Sequence, residues 1–511
     1  MSVGSLLRVK NFFCYDFLSS WFMLIAFVVS SSIICFSFWY IGSDVGNYGF
    51  VLYILMFLFF MFLLTFSNST LMLLVGWEGV GIMSYLLINW WKRRTEAGSS
   101  ALMAVAYNRV GDFGIYLALF LILIVYDMST RFEAQLLGSL LGCFFLLAII
   151  AKSSQFFFHP WLPSAMEGPT PVSSLLHSST IVVAGVFLLI RINHMYNRLS
   201  RLILLVGCLT MLFRSLSAMG QSDLKKIIAY STTSQLGFIV CSVRLGYPNL
   251  AIFHLCMHAF FKAIIFLTSG FFIHNKGVNQ DLRRLGSTNF VFMVFILGSL
   301  SLGGIPFFTG YYSKDLILEN MYGSVSNRFM VVILIVSSII TLGYSIRSIL
   351  FLQALSSVFS KIGNFEYGGS FYFICRLLFF SLVGGFFFSF YFFNEEPYLG
   401  IFEKMLPLFF IFVSLVFIGG NFSLSFISYI YNPLYHRVGL FFFYKMIEKF
   451  FVFEFFFWEL STSHFMGFLA NYNLMVFSSM NKSVIRLYIG LGLFFLVLFV
   501  LFLSKKYLTD C

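Results

Sequence analysis

The chain has 511 residues, of which 60% are hydrophobic and only 10% charged, with a mean hydropathy of +0.92. Too few polar residues exist to cover a soluble surface, which leaves a membrane as the solvent. The net charge of +12 is dispersed among apolar stretches without the clustered basic patch and spaced aromatics of a nucleic-acid binder, so nucleic acid is excluded and loop-borne basic residues that fix orientation are favoured.

The opening segment MSVGSLLRVKNFFCYDF runs into a long apolar stretch without a small-residue cleavage site, so neither secretion nor processing is expected. A spanning helix needs roughly 20 mostly apolar residues. Such runs occur at 17–41, 48–69, 71–91, 103–126, 134–158, 172–192, 201–219, 226–243, 249–274, 289–312, 329–354, 371–393, 401–422 and 484–504, about fourteen in all. They are apolar on every side rather than alternating, which excludes a closed barrel. The predicted fold is an all-α polytopic transmembrane helix bundle. Lys92, Arg93 and Arg94 follow the run ending at Trp90 and Trp91, which places that end on the cytoplasmic or matrix side.

Ionisable residues inside these runs require explanation, because a charge at the bilayer centre costs at least about 2.5–3.5 kcal/mol on insertion scales. Glu78 lies in LMLLVGWEGVGIMSYLL without a basic residue at helical spacing, so its partner must come from another helix. Arg109 and Asp112, three apart, share a helix face and either neutralise each other as a buried ion pair or serve a path. Lys152 ends LLAIIAK, and His177 lies in PVSSLLHSSTIVVAGV. Between them, AKSSQFFFHPWLPSAMEGPTPVSSLLHSST (151–180) carries four prolines, which unwind a helix by removing donors and crowding the preceding turn. In lipid such unwinding survives only where protein or a water cavity satisfies the freed backbone.

Lys225, in QSDLKKIIAYSTTSQLGF, either extends the buried series or snorkels to an interface. In NLAIFHLCMHAFFKAIIFLTSG the residues His254, His258 and Lys262 are spaced four and four, a rise of about 12 Å along one slowly rotating face. This is a ladder of proton acceptors. Zinc is the competing reading for two histidines at that spacing, but no HExxH is present and an ammonium one turn away opposes a divalent cation. Hydrogen bonding between helices is a second alternative. SLGGIPFFTGYYSKD (301–315) repeats the punctuation of paired glycines and proline, then presents Lys314 beside Asp315. Two interrupted helices, one in each half, point to inverted repeats with sites near the midplane. Residues 436–480 mix Lys445, Glu448, Lys449, Glu454 and Glu459 with dense Phe, and read as an amphipathic helix along the membrane.

Six segments then carry a resemblance: WEGVGIMSYLL (77–87), NRVGD (108–112), KSSQFFFHPWLPSAMEGPTPVSSLLHSST (152–180), SDLKKIIAYSTTSQLG (222–237), HLCMHAFFKA (254–263) and GIPFFTGYYSKD (304–315). In this order they resemble the signature segments of the chain 5 family of NADH-ubiquinone oxidoreductases, the large antiporter-like subunits of respiratory complex I. The resemblance is dense from about 70 to 320, weaker but continuous from 17 to 70, and mostly architectural afterwards. It implies a core subunit of the mitochondrial inner membrane, assembled with other complex I membrane-arm subunits as a hetero-oligomer in lipid. It also implies a proton path: Glu78 paired with Lys152, then His177, Lys225, His254, His258, Lys262 and the exit-side Lys314, with Asp112 as a further carboxylate.

NADH, FMN, iron-sulfur clusters and ubiquinone would belong to other subunits of the parent complex, and no cofactor is expected on this chain. Family members usually carry two more helices before residue 17, so an N-terminally shortened form is expected. Arg214 stands where a small polar residue would be expected. The implied organisation is N-terminal helices (1–70), an antiporter-like core (71–354), further spans (355–435) and a lateral helix with a closing anchor (436–511). A sodium/proton antiporter subunit, which shares WEGVG and the interrupted helices, is the competing family reading. A purely structural scaffold would need no ionisable residue at bilayer depth.

Overall fold

The structure, a computed structural model, describes residues 13–392 apart from 43–45, 92–93, 128–130, 194–198, 276–279, 286–288, 324–327 and 357–369. Among these residues every regular element is a helix, with no strand beyond two isolated bridges, Phe13–Ser67 and Asp223–Asp281. In hydrocarbon this is the expected outcome, since a helix satisfies its N–H and C=O groups within one segment. Nine segments among the described residues are long and apolar enough to cross a membrane, and the chain is a multi-pass membrane protein. The expected spans at 401–422 and 484–504, the lateral helix at 436–480, and Lys92 and Arg93 lie outside the described residues.

In chain order the helices are α1 (Phe17–Tyr40), α2 (Asn47–Phe66), α3 (Thr70–Ile88), α4 (Thr95–Asp127), α5 (Arg131–Lys152), the single turn α6 (Trp161–Ser164), α7 (Thr170–Ser178), α8 (Ile181–Arg191), α9 (Ser200–Gly220), α10 (Leu224–Arg244), α11 (Pro248–Asn275), α12 (Asn289–Gly303), α13 (Thr309–Gly323), α14 (Arg328–Ser356) and α15 (Ser370–Phe392). A 3-10 turn, Ala165–Glu167, follows α6. α11 is the hub: it packs against α1, α7, α8, α10, α12, α13 and α15. The Thr170–Arg191 and Pro248–His274 segments are enclosed by protein along their apolar length, whereas α14 and α15 show much of theirs to the surroundings.

Three of the expected spans are corrected. The run 134–158 ends as a helix at Lys152, after which Ser154 (φ 50°) and Phe157 (φ 76°) take left-handed conformations that a continuing helix cannot contain. The run 289–312 stops at Gly303, where Gly304 at φ 85° supplies the left-handed turn that ends a helix. The run 172–192 is two helices. Its interruption falls at Ser179 (φ −130°, ψ −4°) and Thr180 (φ −131°, ψ −89°), downstream of the last of the four prolines. Three of those prolines lie in the α5–α7 connection, with Pro160 and Pro169 at helix N-caps, and Pro171 stands in the first turn of α7. Hydroxyl groups satisfy backbone at this break: Ser178 donates to Ser174 O, and Thr180 Oγ1 donates to Leu175 O at 2.7 Å.

Candidate functional site

Two clusters of buried ionisable groups lie in this bundle. The first is built by α3, α4 and α5. Arg109 on α4 lies 3.9 Å from the Glu78 carboxylate and 3.5 Å from Asp112, so one guanidinium serves both acids. Asp112 also accepts a hydrogen bond from the Trp77 indole, Nε1 to Oδ1, at 2.9 Å. Lys152, 1% exposed, donates from Nζ to the Trp77 carbonyl at 2.6 Å, and its ammonium stands 3.9 Å from the centroid of the Trp77 ring. The direct Glu78–Lys152 ion pair implied by the family resemblance is therefore not formed. Glu78 does find its partner on another helix, but that partner is Arg109.

The second cluster is built by α10, α11 and α13. His254, His258 and Lys262 are fully enclosed, but their neighbours differ, because every face of α11 meets protein. His254 is held on both sides, Nδ1 to Ser313 Oγ of α13 at 2.8 Å and Nε2 to Gln235 Oε1 of α10 at 3.3 Å. His258 faces the Ser178 main chain at the α7–α8 break. Lys262 donates to Ser231 Oγ on α10. Lys314 donates to Leu302 O, a carbonyl in the last turn of the interrupted α12, where the helix dipole is negative. The neighbouring Asp315 is not its hydrogen-bond partner. Lys314 lies within electrostatic range of His254, His258 and Lys262.

Between the clusters lies His177, on α7 just before the break and fully enclosed. Its ring is flanked by Trp161 (6.5 Å between centroids) and by Phe266 of α11 (6.2 Å). Trp161 in turn donates to Ala151 O, beside Lys152. His177 thus meets α6 through Trp161 and α11 through Phe266. Lys225 does not snorkel: it is 3% exposed and donates to Met166 O and Gly168 O in the α6–α7 connection, at 3.4 and 3.1 Å. Among the described residues no ion pair within 4.0 Å involves Lys152, Lys225, Lys262 or Lys314. No three His, Cys, Asp or Glu side chains among those residues converge as a metal site.

Sequence reasoning missed Trp77, Ser231, Gln235, Ser313 and Tyr344. Ser231 and Gln235 are four apart in the polar stretch STTSQ of α10, the spacing of one helical face, and that is the available signal. Tyr344 of α14 is buried with its hydroxyl turned toward Ser231, Ser234 and Gln235. Arg214 acquires an account: it is buried on α9 with its guanidinium 5.3 Å from the Tyr230 ring centroid, a cation–π contact that a small polar residue could not make.

Residues 67–341 match the family model described as NADH:quinone oxidoreductase/Mrp antiporter, TM. Curated relatives share extensive identity. NADH-ubiquinone oxidoreductase chain 5 of Dugong dugon is 46% identical over 356 residues, covering 68% of this chain and 59% of the relative. That of Patiria pectinifera is 43% identical over 363 residues, covering 68% and 56%. The chain therefore spans less than two thirds of the length of these relatives. A solved structure of the Mrp complex from Dietzia sp. DQ12-45-1b superposes with a TM-score of 0.73 at 22% identity, covering 92% of this chain and 55% of that one, a likeness of fold.

Proposed function

The chain belongs to the NADH:quinone oxidoreductase/Mrp antiporter transmembrane family, and from that premise we propose that it is a core membrane subunit of the proton-pumping NADH:ubiquinone oxidoreductase. It sits in the mitochondrial inner membrane within a hetero-oligomer of other membrane-arm subunits and lipid. Electron transfer from NADH through FMN and iron-sulfur clusters to ubiquinone takes place in those other subunits. This chain supplies a path for protons.

The observation that carries the reading is the set of four buried lysines, Lys152, Lys225, Lys262 and Lys314, each donating to an uncharged oxygen rather than paired with an acid. Dry burial favours the neutral amine, while approach of a carboxylate favours the ammonium. A lysine on a neutral oxygen near, but not touching, acids can thus be moved between holding and releasing a proton by small displacements. In this role Glu78 and Asp112 bias Lys152, His177 passes the proton across the α7–α8 break, and the ladder of His254, His258 and Lys262 on α11 carries it to Lys314. Lys225 joins at the α6–α7 connection.

In the assembled complex, Lys152→Ala is expected to abolish proton pumping and suppress coupled NADH oxidation while the complex still assembles. Full pumping by that variant would sink the mechanism. A second reading, a large subunit of a multisubunit sodium/proton antiporter, is favoured by the fold likeness to the Mrp complex. The proteins that purify with the chain decide between them: NADH-oxidising subunits support the first, small antiporter subunits the second.

A further inference from the structure

We propose that Trp77 is a positioning residue that stands between Lys152 and the acids of α3 and α4 and prevents the lysine from collapsing into a direct ion pair with Asp112. The inference rests on the proton-path reading above and adds to it a residue that neither titrates nor carries a proton. Trp77 is enclosed, 1% exposed, and makes three contacts at once. Its carbonyl accepts from Lys152 Nζ at 2.6 Å, its ring face lies 3.9 Å from the same ammonium, and its indole N–H donates to Asp112 at 2.9 Å.

Each contact suits one chemistry. The electron-rich ring face attracts a cation without offering it a place to leave a proton. The N–H occupies a carboxylate oxygen that Lys152 would otherwise compete for. The carbonyl can take a second donor because position 81, four residues on and above it on the helix, is Gly81, which has no side chain to cover it.

The charged groups around Lys152 are few. Asp112 faces it from α4 and Glu78 from α3, and Arg109 of α4 stands against those two acids. The α8 helix packed on α5 is apolar up to Arg191, which is tied to Asp16 and the Thr65 carbonyl. Contacts therefore run in a loop: Lys152 to Trp77, Trp77 to Asp112, Asp112 to Arg109, and Arg109 to Glu78, the residue after Trp77. Removing the indole N–H opens this loop at Asp112. The freed carboxylate oxygen is then available to the ammonium, which holds its proton more firmly against it.

The test compares Trp77→Phe, which keeps a ring face and loses the N–H, with Trp77→Leu, which loses both, in the assembled membrane complex. The readout is the pH profile of NADH-driven proton pumping. Both variants are expected to assemble and to pump with the optimum displaced by about one pH unit to the alkaline side, the equivalent of a tenfold change in proton holding. Trp77→Leu should also turn over more slowly. An unmoved or acid-displaced profile overturns the proposal, whatever the turnover, and so does failure of both variants to assemble, which would assign Trp77 to packing. The Lys152→Ala variant run alongside separates the two claims. If it still pumps, the proton path fails. If it is silent while Trp77→Phe keeps the wild-type profile, only the role of Trp77 fails.

Discussion

Lys152 and Lys262 are both enclosed in the bundle, yet they are held in different ways. Around Lys152 lie two carboxylates, a guanidinium and an indole, so the charges nearly cancel and the geometry is set by a loop of contacts. Around Lys262, His254 and Lys314 the partners are hydroxyl, amide and main-chain oxygens, with no acid in ion-pair contact among the described residues. The first region balances charge against charge, and the second sets charge against dipoles. Deleting a member of a balanced set strands its partners, whereas deleting a cation held by dipoles strands only neutral groups. The two regions should therefore fail differently.

The largest expected effect is in the first region. Asp112→Leu leaves Arg109 and Lys152 with one acid fewer, and breaking a buried pair this way costs about 3–5 kcal/mol, to be read as a lower thermal midpoint of the purified complex. An unchanged midpoint would erase the contrast. Gly310→Ala tests the second region through its backbone. A Cβ there would stand 1.8 Å from Ser301 O, so α12 and α13 must separate, at a cost of about 1–3 kcal/mol by the ordinary scale of overpacking. The Lys314–Leu302 contact should loosen with them and pumping should fall.

How much of this could be read in the sequence differs by feature. The spans follow from hydropathy, and the α12–α13 break is announced by Gly303, Gly304 and Pro306. The α7–α8 break is not, because Ser179 and Thr180 are tolerated inside helices and nothing in their type marks an interruption. The buried lysines and histidines were visible because charge in an apolar run is conspicuous. Their acceptors were not, since Trp77 O, Gly168 O and Leu302 O are main-chain atoms that every residue possesses. The Glu78–Lys152 pair implied by resemblance gave way for the same reason: a carbonyl and a ring face from Trp77 took the place assigned to a carboxylate.

Smaller effects sharpen the contrast further. Ser313→Ala removes the 2.8 Å partner of His254 Nδ1 and should cost about 1 kcal/mol, detectable as a modest fall in midpoint with slower pumping. Lys262→Met should change the midpoint least, by less than about 1 kcal/mol, because it removes a buried cation and leaves unfilled only an acceptor site on Ser231 Oγ, whose hydroxyl already donates to Ile228 O of its own helix. Pumping is nevertheless expected to be lost. A midpoint fall as large as that of Asp112→Leu would show that the second region also depends on charge balance.

The four lysine contacts share one further property, which concerns the order of synthesis. Trp77 precedes Lys152, Met166 and Gly168 precede Lys225, Ser231 precedes Lys262, and Leu302 precedes Lys314. A chain is made from its N-terminus, so each acceptor is already present when its lysine emerges. An ammonium entering hydrocarbon carries a penalty from its first moment there. In this chain each of these lysines arrives to find its oxygen waiting, whereas Glu78 on α3 meets its Arg109 partner only when α4 has been made.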